Sequence, residues 1–265
     1  MINSNENKPI GIFDSGIGGT SIWKEIHELL PLENTIYLSD SKNAPYGIKS
    51  SKEIRNLSIK NTDYLIENGC KIIVVACNTA TTNAITYLRS HYNIPFIGIE
   101  PAIKPAALQS KTKKIGILAT KGTLNSSLFE KTASNFKNDI EIIEQIGVGL
   151  VELIEEGKIY SNEMKSLLTL YLKPMIAKNI DHLVLGCTHY PYLIPVIKDI
   201  IGNKITIIDS GLAVARQTKN VLHSNNLLRT TNNHQKSEFY INKDKQVLES
   251  IVSKYTNAMV FNSDF

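Results

Sequence analysis

The stretch "IIVVACNTATT", residues 72–82, decides the fold. Four apolar residues and Ala76 run without alternation into Cys77, and amides and hydroxyls follow. An unbroken apolar run of this length reads as a strand buried on both faces, as in a parallel sheet. Beyond it Ala80, Ala84, Ile85 and Leu88 share one helical face. The stretch "HLVLGCTHYP", residues 182–191, does the same around Cys187. Twice, then, the chain places a thiol where an apolar run gives way to a polar one.

Outward from these two stretches, strands and helices alternate. "PIGIF" (9–13), "TIYLS" (35–39) and "PFIGIE" (95–100) read as further buried strands. Ile22, Ile26, Leu29 and Leu30 keep helical spacing until Pro31 stops them. In "SSKEIRNLSIKNTDYLIENG", Ser50 and Glu53 fit a capping box and Gly69 a C-terminal stop. The pattern then restarts. "KKIGILAT" (113–120) echoes "PIGIFDS", "HLVLGC" echoes "IVVAC", and "ITIIDSG" (205–211) echoes "FIGIEPA". A strand at 139–146 and a helix over "NEMKSLLTLYLKPMIAKN" lie between them, and Leu193, Val196, Ile197, Ile200 and Ile201 continue at helical spacing after Cys187. Gly11 to Cys77 spans 66 residues and Gly116 to Cys187 spans 71; Cys77 to Ile97 and Cys187 to Ile207 span 20 each. The expected fold class is α/β, with two similar open parallel-sheet units related by pseudo-symmetry. The tail is expected to hold a helix (212–224), a polar loop (225–236), "EFYIN" and a final helix, packed back on the first unit.

The composition narrows the function. The 265 residues are 42% hydrophobic and 20% charged, ordinary for a globular protein. A net charge of +4, with no basic block or interleaved aromatic stripe, reads as solvated surface and gives no sign of nucleic-acid binding. No apolar run approaches the roughly 18 residues of a membrane span. The polar start "MINSNENKP" has no signal-peptide core, so a cytoplasmic location is expected. Three cysteines without a CxxC pair give neither a disulfide framework nor a thiolate zinc site. The six scattered histidines give no metal spacing.

Cys77 and Cys187 each fall at the C-terminal end of a strand, just before a predicted helix. That edge of a parallel sheet is where ligands bind. A helix start suits an anion and lowers a thiol's pKa. Asn78, Thr79, Thr188 and His189 beside them are also capping residues by type. Two matching sites point further. Thiols approaching one carbon from opposite sides can remove a proton from one face and return it to the other. The loop "DSGIGGTS" (14–21) permits close backbone approach to a ligand but is neither GxGxxG nor a P-loop. Asp14 in it is either a helix cap or a group that orients a ligand amine or a base. "SDSKNAPYG" (39–47) sets Asp40, Pro45, Tyr46 and Gly47 on the same edge. Alone it is an ordinary Pro/Gly turn.

Together "GIFDSGIGG", "SDSKNAPYG", "VVACNTA" and "LGCTHYP", in this order over residues 10–211, resemble the cofactor-independent glutamate racemases of bacterial cell-wall synthesis. The resemblance implies two domains, 1–98 with 210–265 and an inserted 99–209, and an active site in the cleft between them. It implies Cys77 and Cys187 as the proton-transfer groups, Cys77 for D-glutamate and Cys187 for L-glutamate. It carries substrate contacts to Asp14, Ser15, Tyr46, Gly47, Asn78, Thr79, Thr188 and His189, and more loosely to Asp40. It implies that Asp14 and His189 also assist the thiols. A helix-borne glutamate of the family aligns best with Glu155 in "VELIEEG" (151–157), with Glu152 close by. "QIGVG" (145–149) lacks the Cys-Pro of many relatives.

The partners implied are L- and D-glutamate, with no cofactor, no metal, no nucleic acid and no membrane. A homodimer is expected. Only nine residues precede "IGIF", and no precursor-nucleotide activator is expected. Competing readings are a racemase for aspartate, a two-lobed amino-acid-binding protein and a cysteine phosphatase. A phosphatase needs an arginine just past its thiol, which "CNTATTN" lacks.

Overall fold

The computed structural model describes residues 5–231 and 235–265. The centre of the expected polar loop, 232–234, and residues 1–4 lie outside the described residues. In chain order the first half comprises β1 (Ile10–Asp14), α1 (Thr20–Leu29), β2 (Thr35–Ser39), α2 (Ser51–Glu67), β3 (Ile72–Val75), α3 (Asn78–His91), β4 (Phe96–Gly98) and α4 (Ile103–Gln109). Then come β5 (Lys114–Ala119), α5 (Lys121–Leu124), α6 (Ser127–Ser134), β6 (Glu141–Ile146), α7 (Leu150–Glu155), α8 (Asn162–Ala177), β7 (His182–Gly186), α9 (Ile194–Ile201) and β8 (Thr206–Ile208). The tail holds α10 (Gly211–Ser224), β9 (Ser237–Ile241), α11 (Gln246–Val252) and β10 (Ala258–Asn262).

The strands form two parallel sheets, ordered β10-β9-β2-β1-β3-β4 and β6-β5-β7-β8. The order β2-β1-β3-β4 repeats as β6-β5-β7-β8, the pseudo-symmetry anticipated from the sequence echoes. In each sheet the chain reverses its direction of travel at the central pair, β1/β3 and β5/β7. Loops leaving the ends of such a pair diverge and leave a crevice. Cys77 follows β3 and Cys187 follows β7, so each thiol stands at its sheet's switch point.

Burial explains the apolar runs. Every residue of β1, β2, β3 and β7 is buried, whereas the outer strands β6, β8 and β10 are only partly covered. The capping box on α2 is present, with Ser50 and Glu53 exchanging side-chain and backbone bonds, and Gly69 takes φ +75° past the helix end. One hydrophobic core joins the sheets: Ile10, Ile12, Trp23 and Val74 belong to the same buried cluster as Leu150, Leu168, Leu183 and Leu185. This shared core holds the two switch points against each other.

The tail places β9 beside β2 and β10 beside β9. The sequence reading ended on a helix and did not anticipate β10. An edge strand with half-exposed side chains carries little of the apolar signal that marks a buried one. Among the described residues no helix is long and apolar enough to cross a membrane.

Candidate active site

Cys77 is itself the N-cap of α3, its Sγ accepting from Ala80 N–H at 3.4 Å. Asn78 and Thr79 therefore lie inside the helix and are not its caps. Asn78 Oδ1 is buried without a hydrogen-bond partner. A buried acceptor left this way is costly unless a ligand supplies the donor. Cys187 differs from the expectation. It leads into a short 3₁₀ turn (Tyr190–Leu193), and α9 starts only at Ile194. Pro191 and Pro195 lack N–H donors and fix φ, so the chain turns tightly here before the helix sets in.

Both sulfurs line one narrow cavity, reached from different sheets. Ser15, Tyr46, Gly47, Asn78, Thr79, Thr188 and His189 line it with them. A roomier hollow beside Trp23, Tyr192 and Tyr255 holds neither thiol. Among the described residues no cluster of three or more ligating side chains could hold a metal ion.

Each thiol has its own polar support. Cys77 Sγ lies 3.5 Å from Ser15 Oγ. Burial, followed by the neighbouring Asp14 carboxylate, pushes the Cys77 thiol well above its ordinary pKa, so at rest it carries its proton. Asp14 is fully buried, and loss of solvent pushes its carboxyl up to about 6 against the pull of His189 and the Gly19 N–H. Gly19 N–H donates to Asp14 Oδ2 at 2.7 Å, and Thr188 Oγ1 lies 3.3 Å from Oδ1.

On the other side, Cys187 Sγ lies 3.8 Å from His189 Nδ1, and His189 Nε2 lies 2.6 Å from Glu155 Oε1. Burial disfavours charge on the ring, but its bonds to Cys187 and Glu155 outweigh this and hold its pKa well above the usual imidazole value. Burial likewise opposes charge on Glu155, and His189, Ser41 and the Ile17 N–H overcome it, holding the carboxyl below its usual range. Gly18 N also lies 3.2 Å from Nε2, but that contact is a hydrogen bond only in a neutral ring with Nε2 unprotonated. The closer Glu155 favours the protonated ring.

The glycine-rich loop makes this packing feasible. A Cβ on Gly16 would sit 2.0 Å from Glu155 Oε1, and one on Gly18 would sit 2.1 Å from His189 Nδ1. Both glycines are therefore required by close approach from the opposite sheet. Of the two glutamates left open by the sequence, Glu155 reaches the site, while Glu152 points to solvent.

Asp40 does not line the cavity. Its Oδ2 accepts from Tyr46 OH at 2.5 Å and its Oδ1 from Asn43 and Asn242 at 2.8 and 2.6 Å. Both oxygens are thereby occupied in holding the Tyr46 turn from behind. Pro45, placed on this edge by the sequence, also lines the cavity, whereas the sequence reading missed Thr120 and Val151, and Thr123 behind Thr120. Thr79 Oγ1 lies 2.8 Å from Thr120 Oγ1 and 3.2 Å from Thr123 Oγ1. The internal repeat carried a signal for Thr120: counted from Gly11 and Gly116, it corresponds to Ser15.

Comparison with known proteins shows the family. The family model for Asp/Glu/Hydantoin racemase matches residues 10–218. Glutamate racemase from Herpetosiphon aurantiacus is 44% identical over 223 residues, 84% of this chain and 88% of that protein. The crystal structure of glutamate racemase isoform RacE1 from Bacillus anthracis superposes with a TM-score of 0.87 at 30% identity, covering 98% of both chains. Escherichia coli glutamate racemase, solved with L-glutamate and the activator UDP-MurNAc-ala, gives a TM-score of 0.86 at 30% identity over 96% of this chain and 97% of that one. With paired thiols facing one cavity, a repeated α/β architecture and a family match over most of its length, the chain belongs to the Asp/Glu/hydantoin racemase family and is an amino-acid racemase, an isomerase.

Proposed function

We propose that the protein interconverts L- and D-glutamate by proton transfer between Cα and two cysteines, without a cofactor, supplying D-glutamate for peptidoglycan synthesis. The observation that carries this reading is that Cys77 and Cys187 line one cavity from two different sheets. The substrate assignment draws on the glutamate racemases among its relatives.

From L-glutamate, Cys187 as thiolate takes the Cα proton, and the electron pair stays on the substrate, spread into the α-carboxylate. Cys77, protonated at rest, delivers its proton to the opposite face, and the protonation of the two sulfurs is exchanged. From D-glutamate the roles reverse. Cationic His189 offsets negative charge on Cys187, and Asp14 with Ser15 serves Cys77. The unpartnered Asn78 Oδ1 suits a substrate N–H, and free N–H groups at the start of α3 suit the α-carboxylate.

Incubation of the purified protein with L-glutamate alone, followed by chiral analysis, should yield D-glutamate; no D-glutamate refutes the substrate assignment. Cys77→Ser and Cys187→Ser should each fold and lose at least about 10² to 10⁴ in rate, because a hydroxyl is too weak an acid for this exchange. Cys70→Ser, whose thiol is buried beside Gly11 away from the cavity, should retain turnover. In deuterated water early product should carry deuterium at Cα while remaining substrate does not. Early product that keeps its original hydrogen rules out two bases.

A further inference from the structure

We propose that Ser41 is a positioning residue for the Cys187 half of the site, its hydroxyl fixing the Glu155 carboxylate against His189 from across the cleft. The proposal rests on the two-cysteine reading above. Glu155 ends α7, which packs against α8 and the turn Tyr190–Leu193 of the second half, yet both of its oxygens are held from the first. Ile17 N–H donates to Oε1 at 2.7 Å, and Ser41 Oγ donates to Oε2 at 2.7 Å. His189 Nε2 shares Oε1 at 2.6 Å. Among the described residues Ser41 is the sole side-chain hydrogen-bond donor to Oε2, 114 positions away in sequence.

The orientation of Ser41 is itself fixed. It is the first residue of the short turn after β2, whose N-cap is Asp40, and its proton is directed to Glu155. Ser39 Oγ lies 3.0 Å from Ser41 Oγ, and with Ser41 committed as donor, Ser39 supplies the bond that Ser41 accepts. Both serines are buried. The result is a continuous line from Ser39 through Ser41, Glu155 and His189 to Cys187. Each oxygen of Glu155 is used, so the carboxylate cannot rotate, and the ring it pairs with keeps Nδ1 towards the sulfur. Without the Ser41 hydroxyl, Oε2 has no side-chain donor in a buried setting, and the carboxylate both swings and binds a proton more readily.

Two charged environments face this pair. On the cavity side are Asp14, whose Oδ2 is 4.0 Å from His189 Nδ1, and Cys187. On the outer side of Glu155 are Glu156, Lys158, Lys243 and Asp244. Removing a serine hydroxyl changes none of these charges, so a shift in the pair's titration reports the hydrogen bond itself.

The test compares Ser41→Ala and Ser41→Thr with the wild type. Two readouts are used: steady-state turnover of both glutamate enantiomers, and an NMR titration of the His189 ring on the resting enzyme, assigned by its absence in His189→Gln. For Ser41→Ala, kcat should fall about tenfold, one hydrogen bond to a charged group, while KM stays within about twofold. The midpoint of the His189 titration should fall by about one pH unit, since its anionic partner is weakened. Ser41→Thr, which keeps the hydroxyl, should restore most of both. If the alanine variant does not fold, Ser41→Cys keeps the shape with a weak donor and carries the same expectations. Unchanged turnover with an unchanged titration overturns the proposal. So does lost turnover with an unchanged titration, which assigns Ser41 a purely structural role. Absence of glutamate turnover in the wild type refutes the proposed substrate, while the titration still decides the role of Ser41.

Discussion

Asp14→Asn should stabilise the folded protein while nearly abolishing its activity. Asp14 is fully buried, and its pKa is raised from 3.8 to about 6. That shift of about two units, at about 1.4 kcal/mol each, makes ionised Asp14 a net cost of about 3 kcal/mol at neutral pH. The figure is already net of the attraction of His189 and the Gly19 hydrogen bond, both of which favour the carboxylate. A carboxyl with a raised folded pKa binds its proton more tightly folded than unfolded. Stability therefore falls as pH rises from about 4 to about 6, and stays lowered above that.

The asparagine has no proton to lose. Its oxygen can accept the Gly19 N–H now made to Asp14 at 2.7 Å, and its amide can face Thr188 Oγ1. The variant should match the wild type near pH 4 and exceed it by about 1–3 kcal/mol at pH 7, at roughly 2–4 °C in Tm per kcal/mol for a chain near this size. Thermal and urea unfolding of both proteins from pH 4 to 8 measure this. Racemisation should drop by at least about 10², as Cys77 loses its ionisable neighbour. A variant less stable than the wild type at pH 7, or a difference that does not grow between pH 4 and 6, refutes the reasoning.

Gly18→Ala sets a methyl group 2.1 Å from His189 Nδ1 and should cut turnover by at least about tenfold, with a lesser effect on melting, because the ring must rotate away from Cys187. Near-normal turnover would show that the ring has room to spare. Lys71→Ala removes the ammonium 2.5 Å from Glu33 Oε2, both side chains being 1% exposed, and leaves that carboxylate with the Arg229 N–H at Oε1. Breaking a buried pair from one side should destabilise by on the order of 3 kcal/mol in urea unfolding, without changing kcat, since the pair lies away from the cavity.

Much of this protein was legible in the residue order. The apolar runs ending in Cys77 and Cys187 marked two strands of a parallel sheet, and the echo between the halves appears as the repeated strand order β2-β1-β3-β4 and β6-β5-β7-β8. These features are local: strand, cap and turn signals depend on neighbours a few residues apart. The edge strand β10 left a faint signal because its side chains are half solvated, and no one-dimensional pattern separates such a strand from a loop.

What the tertiary structure alone decided is which groups meet. Glu155 and Glu152 are equally plausible by spacing, and only the approach of α7 to the glycine-rich loop brings Glu155 to His189 and leaves Glu152 in solvent. Asp40 reads like a ligand contact and instead anchors Tyr46 from behind, because Asn43 and Asn242 occupy its other oxygen. Thr120 and Ser41 are ordinary turn residues in sequence and acquire their partners across the cleft, Thr79 and Glu155, only when the sheets face each other. Charge state follows the same division. An aspartate is an acid anywhere in a sequence, but Asp14 holds its proton up to about pH 6 because the fold removes its water. Desolvation and the direction of a hydrogen bond are properties of space, set by elements more than a hundred residues apart.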